Sequence, residues 1–199
     1  MKTTLYLIRH GETNFNREKR FQGQIDAELS PEGLKQAEKL RGKMKNIHVD
    51  AIYCSPLQRA RKTAEIAFPE KELIIFDELK ERSYGNAEGM LRKDFDKEFP
   101  HLIEDYEKRW HLDVEGVELF DDLKQRAVQV IEDIAKKEKG KSIAIVAHGG
   151  LLRAFLMKIT GKPDEKHRDY RFGNTSLTIM EYENGEFNLK SFNDISHLD

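Results

Sequence analysis

Apolar residues run together through Leu5-Tyr6-Leu7-Ile8 and stop at Arg9-His10-Gly11-Glu12. That pattern predicts a buried strand over Thr3 to Arg9 which ends by presenting an arginine and a histidine side by side. The period then changes. In "LSPEGLKQAEKLRGKM", Leu34, Ala37 and Leu40 share one helical face, Ser30 is placed to cap the helix and Pro31 falls in its first turn. "VDAIYCSP" predicts a second strand ended by Pro56, and "QRARKTAEIAF" a second helix. A third strand is expected in "ELIIFDEL". A long helix is expected in "LFDDLKQRAVQVIEDIAKKEKG", with Leu119, Leu123, Val130 and Ile134 on its apolar side and Gly140 at its end. "SIAIVAHGG" is almost continuously apolar before its histidine, as in the middle of a parallel sheet. "LLRAFLMKITG" then predicts a helix closed by Gly161, with Pro163 just beyond. "TSLTIMEYENGEFNLKSF" alternates on both sides of Asn184-Gly185, a hairpin signal.

Strands alternating with helices predict an α/β fold. The expected form is a three-layer sandwich with a mostly parallel central sheet, helices on both faces and an antiparallel C-terminal edge hairpin. Such sheets bind ligands beyond the carboxyl ends of their strands. Arg9-His10, the Ser55-to-Arg59 run, Glu81 and His148-Gly149 all follow strands, so four strand ends are expected to converge on one rim. Residues 90–118 stand apart as a charged stretch in which Phe95, Phe99, Leu102, Tyr106 and Trp110 approximate one helical stripe, interrupted by Pro100. They are read as a small helical, lid-like insertion over the site, within one domain spanning residues 1–199.

Charge narrows the partners. The chain of 199 residues carries 34 Lys and Arg against 36 Asp and Glu, a net charge of −2. That balance gives no electrostatic reason to expect nucleic acid or an anionic membrane, so affinity for an anion has to come from a local site. The one cysteine, Cys54, excludes an internal disulfide and fits a reducing compartment. With no apolar run of spanning length, the cytoplasm is the expected location.

As chemical groups, the rim residues form a coherent set. His10 and His148 can donate, accept or attack near neutral pH. Arg9 and Arg59 offer planar forks suited to phosphate oxygens. Glu81 is a candidate proton donor, and Gly11 and Gly149 let backbone N–H groups approach an anion. Together they point to phosphoryl transfer through a histidine nucleophile. Other phosphate and hydrolase chemistries fit poorly. Four residues separate Cys54 from Arg59 where a cysteine-phosphatase loop needs five, and the chain has no G-x-x-x-x-G-K-[ST], H-E-x-x-H or G-x-S-x-G run.

"LIRHGETNFN" resembles the signature of the histidine phosphatase superfamily, also called the phosphoglycerate mutase-like family. "FQGQIDAELSPEGLKQA", "IYCSPLQRARKTAE", "LKERSYGNAEG", "VAHGGLLRAFL" and "NTSLTIMEY" resemble its successive blocks in order and spacing. The resemblance implies that His10 is the nucleophile that becomes phosphohistidine. Arg9, Arg59 and His148 would surround the transferring group, and Glu81 would be the proton donor. Asn16, Gln22 and Gly23 match positions lining the phosphate and substrate pocket. No metal or other cofactor is implied, because the cations supply the charge. Surrounding positive charge from Arg9, Arg59 and a potentially cationic His148 would hold His10 in its attacking, neutral form.

The leading expectation is a metal-independent phosphatase acting on phosphomonoesters of small metabolites. The alternatives are a phosphoglycerate mutase and an inactive scaffold that binds phosphorylated ligands. The departures from the family pattern, Ala87 before Glu88-Gly89 and "EGVELFDD" before the long helix, fall on substrate recognition and leave the chemistry intact. The sequence leaves the physiological substrate and the oligomeric state open.

Overall fold

The computed structural model describes residues 1–100, 114–163 and 169–199. Six strands form one sheet: β1 (Thr3–Arg9), β2 (Ala51–Cys54), β3 (Leu73–Ile75), β4 (Ser142–Ala147), β5 (Leu177–Glu183) and β6 (Glu186–Asp194). Their order is β3-β2-β4-β1-β5-β6. The first four of that series run parallel, while β5 is antiparallel to β1 and β6 antiparallel to β5. The helices are α1 (Asn14–Glu18), α2 (Pro31–Met44), α3 (Gln58–Ala67), α4 (Arg92–Glu98), α5 (Phe120–Lys137) and α6 (Gly149–Thr160). The mostly parallel sheet with a C-terminal antiparallel pair is thus as expected.

Strand periodicity sorts the core into two layers. On β4, Ile143, Ile145 and Ala147 face α5 and α6, whereas Ala144 and Val146 face the cluster holding Leu40 of α2 and Ala60 and Ala64 of α3. The α5 face is Phe120, Leu123, Ala127, Val130, Ile131 and Ile134, all buried at helical spacing. Each of its large side chains contributes about 1.5–3 kcal/mol through burial. Ser30 does cap α2, its hydroxyl accepting from Gly33 N at 3.0 Å with Pro31 at the first helical position.

Several details depart from the sequence reading. Leu34 is 40 % exposed and Leu119 58 % exposed, so neither joins the core. Leu119 is the residue preceding α5, where no helical face yet exists, and the buried stripe starts one position later at Phe120. The third strand stops at Ile75, and Asp77–Leu79 form a 3-10 turn, so Glu81 follows that turn instead of a strand end. Helix α1 was not expected. It follows Thr13, whose hydroxyl accepts from Asn16 N while the Asn16 side chain accepts from Thr13 N, a reciprocal cap. Helix α6 begins at Gly149 directly after β4, two residues before the expected start.

Of the 90–118 insertion, residues 101–113, which include Leu102, Tyr106 and Trp110, lie outside the described residues. The described part is tied to the chain near the site. Phe95 is 3 % exposed and packs on Phe21 with ring centroids 4.8 Å apart, and Phe21 N donates to Met90 O at 3.0 Å. Among the described residues, no helix is long and apolar enough to cross a membrane.

Candidate active site

Parallel pairing of β1 with β4 matches Arg9 to Ala147, so the residues following them emerge side by side. His10 N donates to Ala147 O at 3.1 Å, and the His10 and His148 rings lie 5.2 Å apart between centroids. On the other flank of β4, Ser55 N donates to Val146 O at 3.1 Å, which brings Ser55 to the same rim.

His10 is 2 % exposed, and its Nδ1 lies 2.7 Å from Gly11 O. A carbonyl can only accept, so the proton of a neutral ring sits on Nδ1 and the lone pair on Nε2. Burial, then the positive charges of Arg59 and Arg9, holds the imidazole pKa well below its ordinary value. The ring is therefore neutral at pH 7, with one nitrogen free to attack.

The Gly11 backbone is itself pinned. Its N–H donates to Thr63 Oγ1 at 3.0 Å, and that hydroxyl donates to Arg59 O at 2.7 Å. A Cβ at Gly11 would stand 2.7 Å from Gly33 O, so only glycine fits. This corrects the expectation that the Gly11 N–H is free for an anion. Thr63 takes it.

The arginines are anchored by carbonyls. Arg9 Nη1 donates to Phe172 O at 2.7 Å; Arg59 donates from Nη1 to Ile25 O at 2.8 Å and from Nη2 to Gly23 O at 2.6 Å. Each guanidinium keeps further N–H groups, and Nε of each is buried and without a hydrogen-bond partner in the protein. Burial pushes the Arg9 pKa down to about 10, and Arg59 shifts down for the same reason, which still leaves both charged at neutral pH.

His148 is fully buried, with Nε2 2.7 Å from Ser55 Oγ and Nδ1 unpartnered. Ser55 Oγ accepts from Leu57 N at 3.3 Å and can give its own proton to His148 Nε2. That assignment puts the ring proton on Nδ1. Burial, followed by Arg59, His10 and Arg9, drives this pKa well below its usual value too. His148 is thus a neutral N–H donor, not the cation the sequence reading allowed.

Glu81 docks on the start of α6. Its Oε2 accepts from Gly150 N at 2.9 Å, and its Oε1 from Leu151 N at 3.0 Å and Arg82 N at 2.9 Å. Gly149 packs on Arg9, where a Cβ would stand 3.2 Å from Nε. Asn16 reaches His10 at one remove. Asn174 Nδ2 donates to both His10 O at 3.0 Å and Asn16 Oδ1 at 3.3 Å. Gln22 Oε1 accepts from Thr13 Oγ1 at 2.9 Å, and Gly23, at φ 54°, supplies a carbonyl to Arg59. Gly23 is further confined because a Cβ there would overlap the Glu88 carboxylate, which also accepts from Gln24 N and Tyr84 N at 2.9 Å each.

The sequence assigned no role to Thr63, Ser55, Asn174 or Glu88, although Ser55 stands in the run after the second strand and Glu88 in the Glu88-Gly89 pair. Thr63 had a signal, since it stands one helical turn after Arg59. The other three act through contacts distant in the chain. Among the described residues, no group of three or more His, Cys, Asp or Glu side chains is placed to hold a metal ion.

The sequence model of the histidine phosphatase superfamily (branch 1) matches residues 5–195. A metal-independent phosphoserine phosphatase of Arabidopsis thaliana is 34 % identical over 98 % of this chain and 83 % of its own length. The structure of YhfR from Bacillus stearothermophilus superposes with a TM-score of 0.91 at 31 % identity, covering 99 % of this chain and all of that one. A histidine-to-alanine mutant of the phosphoserine phosphatase of Entamoeba histolytica, in complex with phosphoserine, gives a TM-score of 0.87 at 29 % identity over 98 % of this chain and 99 % of that one.

Proposed function

The chain belongs to the histidine phosphatase superfamily, and on that premise we propose how its own residues hydrolyse a phosphomonoester without a metal. One observation carries the reading. His10 presents an unprotonated Nε2, while Arg9 Nε, Arg59 Nε and His148 Nδ1 are buried nitrogens lacking protein partners around it. Buried donors without acceptors are costly, and a phosphoryl group would satisfy all three.

In the first half-reaction, the Nε2 lone pair forms the N–P bond as the ester P–O bond breaks. Glu81, protonated, gives its proton to the departing alcohol oxygen. In the second, water forms a P–O bond as the N–P bond breaks, Glu81 takes the water's proton, and His10 Nε2 recovers its lone pair as inorganic phosphate leaves. Charge on the three equatorial oxygens is stabilised by donors fixed before the substrate arrives, since carbonyls of residues 23, 25 and 172 already hold both guanidiniums. Such preorganised donors, each worth about 3–4 kcal/mol by analogy with oxyanion holes, replace a metal ion's charge.

The substrate is a small phosphorylated metabolite. Phosphoserine is the first ester to assay, because the Arabidopsis relative bears that name and the Entamoeba structure holds that ligand. The test is release of inorganic phosphate from p-nitrophenyl phosphate, phosphoserine and 3-phosphoglycerate by the purified protein. Turnover of the aryl ester together with at least one metabolite supports the reading. Binding of these esters with no release from any of them would mean a phospho-ligand scaffold instead.

A further inference from the structure

The Glu81 carboxyl occupies a space that exists only because residue 150 has no side chain. A Cβ at Gly150 would overlap Glu81 Oε1 and stand 2.9 Å from Cδ and 3.2 Å from Oε2. Gly150 is not in the left-handed region, so backbone conformation does not require glycine there. It lies in the first turn of α6, where alanine is the better helix former. The absence of a side chain thus has no conformational use, and what it makes room for is the acid.

We propose that Gly150 is a positioning residue for the proton donor: it opens the first turn of α6 so that Glu81 docks there with Oε2 as the proton-carrying atom. The two oxygens are not equivalent. Oε1 accepts two backbone N–H groups, from Arg82 and Leu151, and both of its lone pairs are engaged. Oε2 accepts one, from Gly150, and keeps a second site for the proton. With the carboxyl held at three points, protonation does not release it. The transferable proton then has a fixed position at the instant the P–O bond breaks and the leaving oxygen needs it. At the neighbouring Gly149 an added Cβ would meet the Arg9 guanidinium instead, 3.2 Å from Nε.

The inference rests on Glu81 being the acid, and the experiment separates the two claims. Gly150→Ala, Glu81→Gln and the double variant are compared with the unaltered protein on p-nitrophenyl phosphate, phenyl phosphate and an alkyl phosphate. The far end of Glu81 is flexible, so Gly150→Ala is expected to fold and displace only the carboxyl. Its kcat/KM should fall about tenfold to a hundredfold on the alkyl ester and little on the p-nitrophenyl ester, because an activated leaving group needs no proton. On the Glu81→Gln background, Gly150→Ala should add almost nothing. Equal losses on all three esters, or full additivity with Glu81→Gln, would overturn the role of Gly150. Should Glu81→Gln itself slow all esters alike, the acid assignment falls first. Selective loss in Glu81→Gln with none in Gly150→Ala refutes the positioning claim alone.

Discussion

Thr63→Val isolates the support beneath His10, the proposed nucleophile, because valine keeps the shape and removes one hydroxyl. Thr63 is fully buried, and its Oγ1 is the acceptor for Gly11 N at 3.0 Å. The peptide it pins is one bond from His10, and the Gly11 carbonyl orients the ring. Without the hydroxyl, the Gly11 N–H is left buried and unpaired, which costs about 1–3 kcal/mol. For a chain of this size, each kcal/mol lowers Tm by about 2–4 °C, so a fall of roughly 2–12 °C is expected by calorimetry. A loosened imidazole should also lower kcat several-fold on p-nitrophenyl phosphate with little change in KM, since the arginine anchors are untouched. Thr63→Ser retains the acceptor and should recover most of both losses. A Tm within a degree of the parent, together with unchanged kcat, would refute the argument that this hydroxyl holds the nucleophile's backbone.

Stability should fall on acidification between pH 6.5 and 5 in phosphate-free buffer. His10 and His148 are buried with folded-state pKa values well below ordinary, so below pH 6.5 the unfolded chain binds protons that the native chain refuses. The contribution is complete above pH 6.5 and declines by up to about 1.4 kcal/mol per pH unit for each ring below it; urea midpoints that rise toward pH 5 would contradict it. Activity should survive EDTA, since fixed guanidiniums supply the positive charge; loss in EDTA that zinc or magnesium restores would oppose a metal-free site. Net phosphate release should exceed interconversion of 3-phosphoglycerate and 2-phosphoglycerate even with 2,3-bisphosphoglycerate present, because in "EKRWHLDVEG" Arg109 precedes Trp110 with no second arginine beside it to retain a reorienting intermediate. A coupled enolase assay showing mutase turnover much faster than phosphate release would place the chain on the other branch.

The sheet was legible because its strands carry the strongest patterns. Leu5 to Ile8 and Ile143 to Ala147 are apolar on both faces, as strands covered by helices on each side must be. The site was legible where chemistry sits at strand ends, as at His10 and His148. What the sequence could not show was how those groups are already engaged. Arg9 and Arg59 spend N–H groups on carbonyls of residues 172, 23 and 25, and Gly11 spends its N–H on Thr63. These partners lie 34 to 163 positions away, beyond any local pattern. The neutral state of His148 likewise depends on complete burial, a tertiary property. Helix α1 escaped notice because a five-residue helix with no buried residue has no apolar face to read.

The central claim is that His10 Nε2 carries the phosphoryl group between ester and water. Rapid acid-free quenching during turnover of phosphoserine or p-nitrophenyl phosphate, followed by intact-mass analysis and peptide mapping, tests it directly. One phosphoryl adduct per chain is expected, labile in acid and stable in base, mapped to His10 and absent from a folded, inactive His10→Ala variant. Sustained turnover by His10→Ala, or an adduct on any other residue, would contradict it.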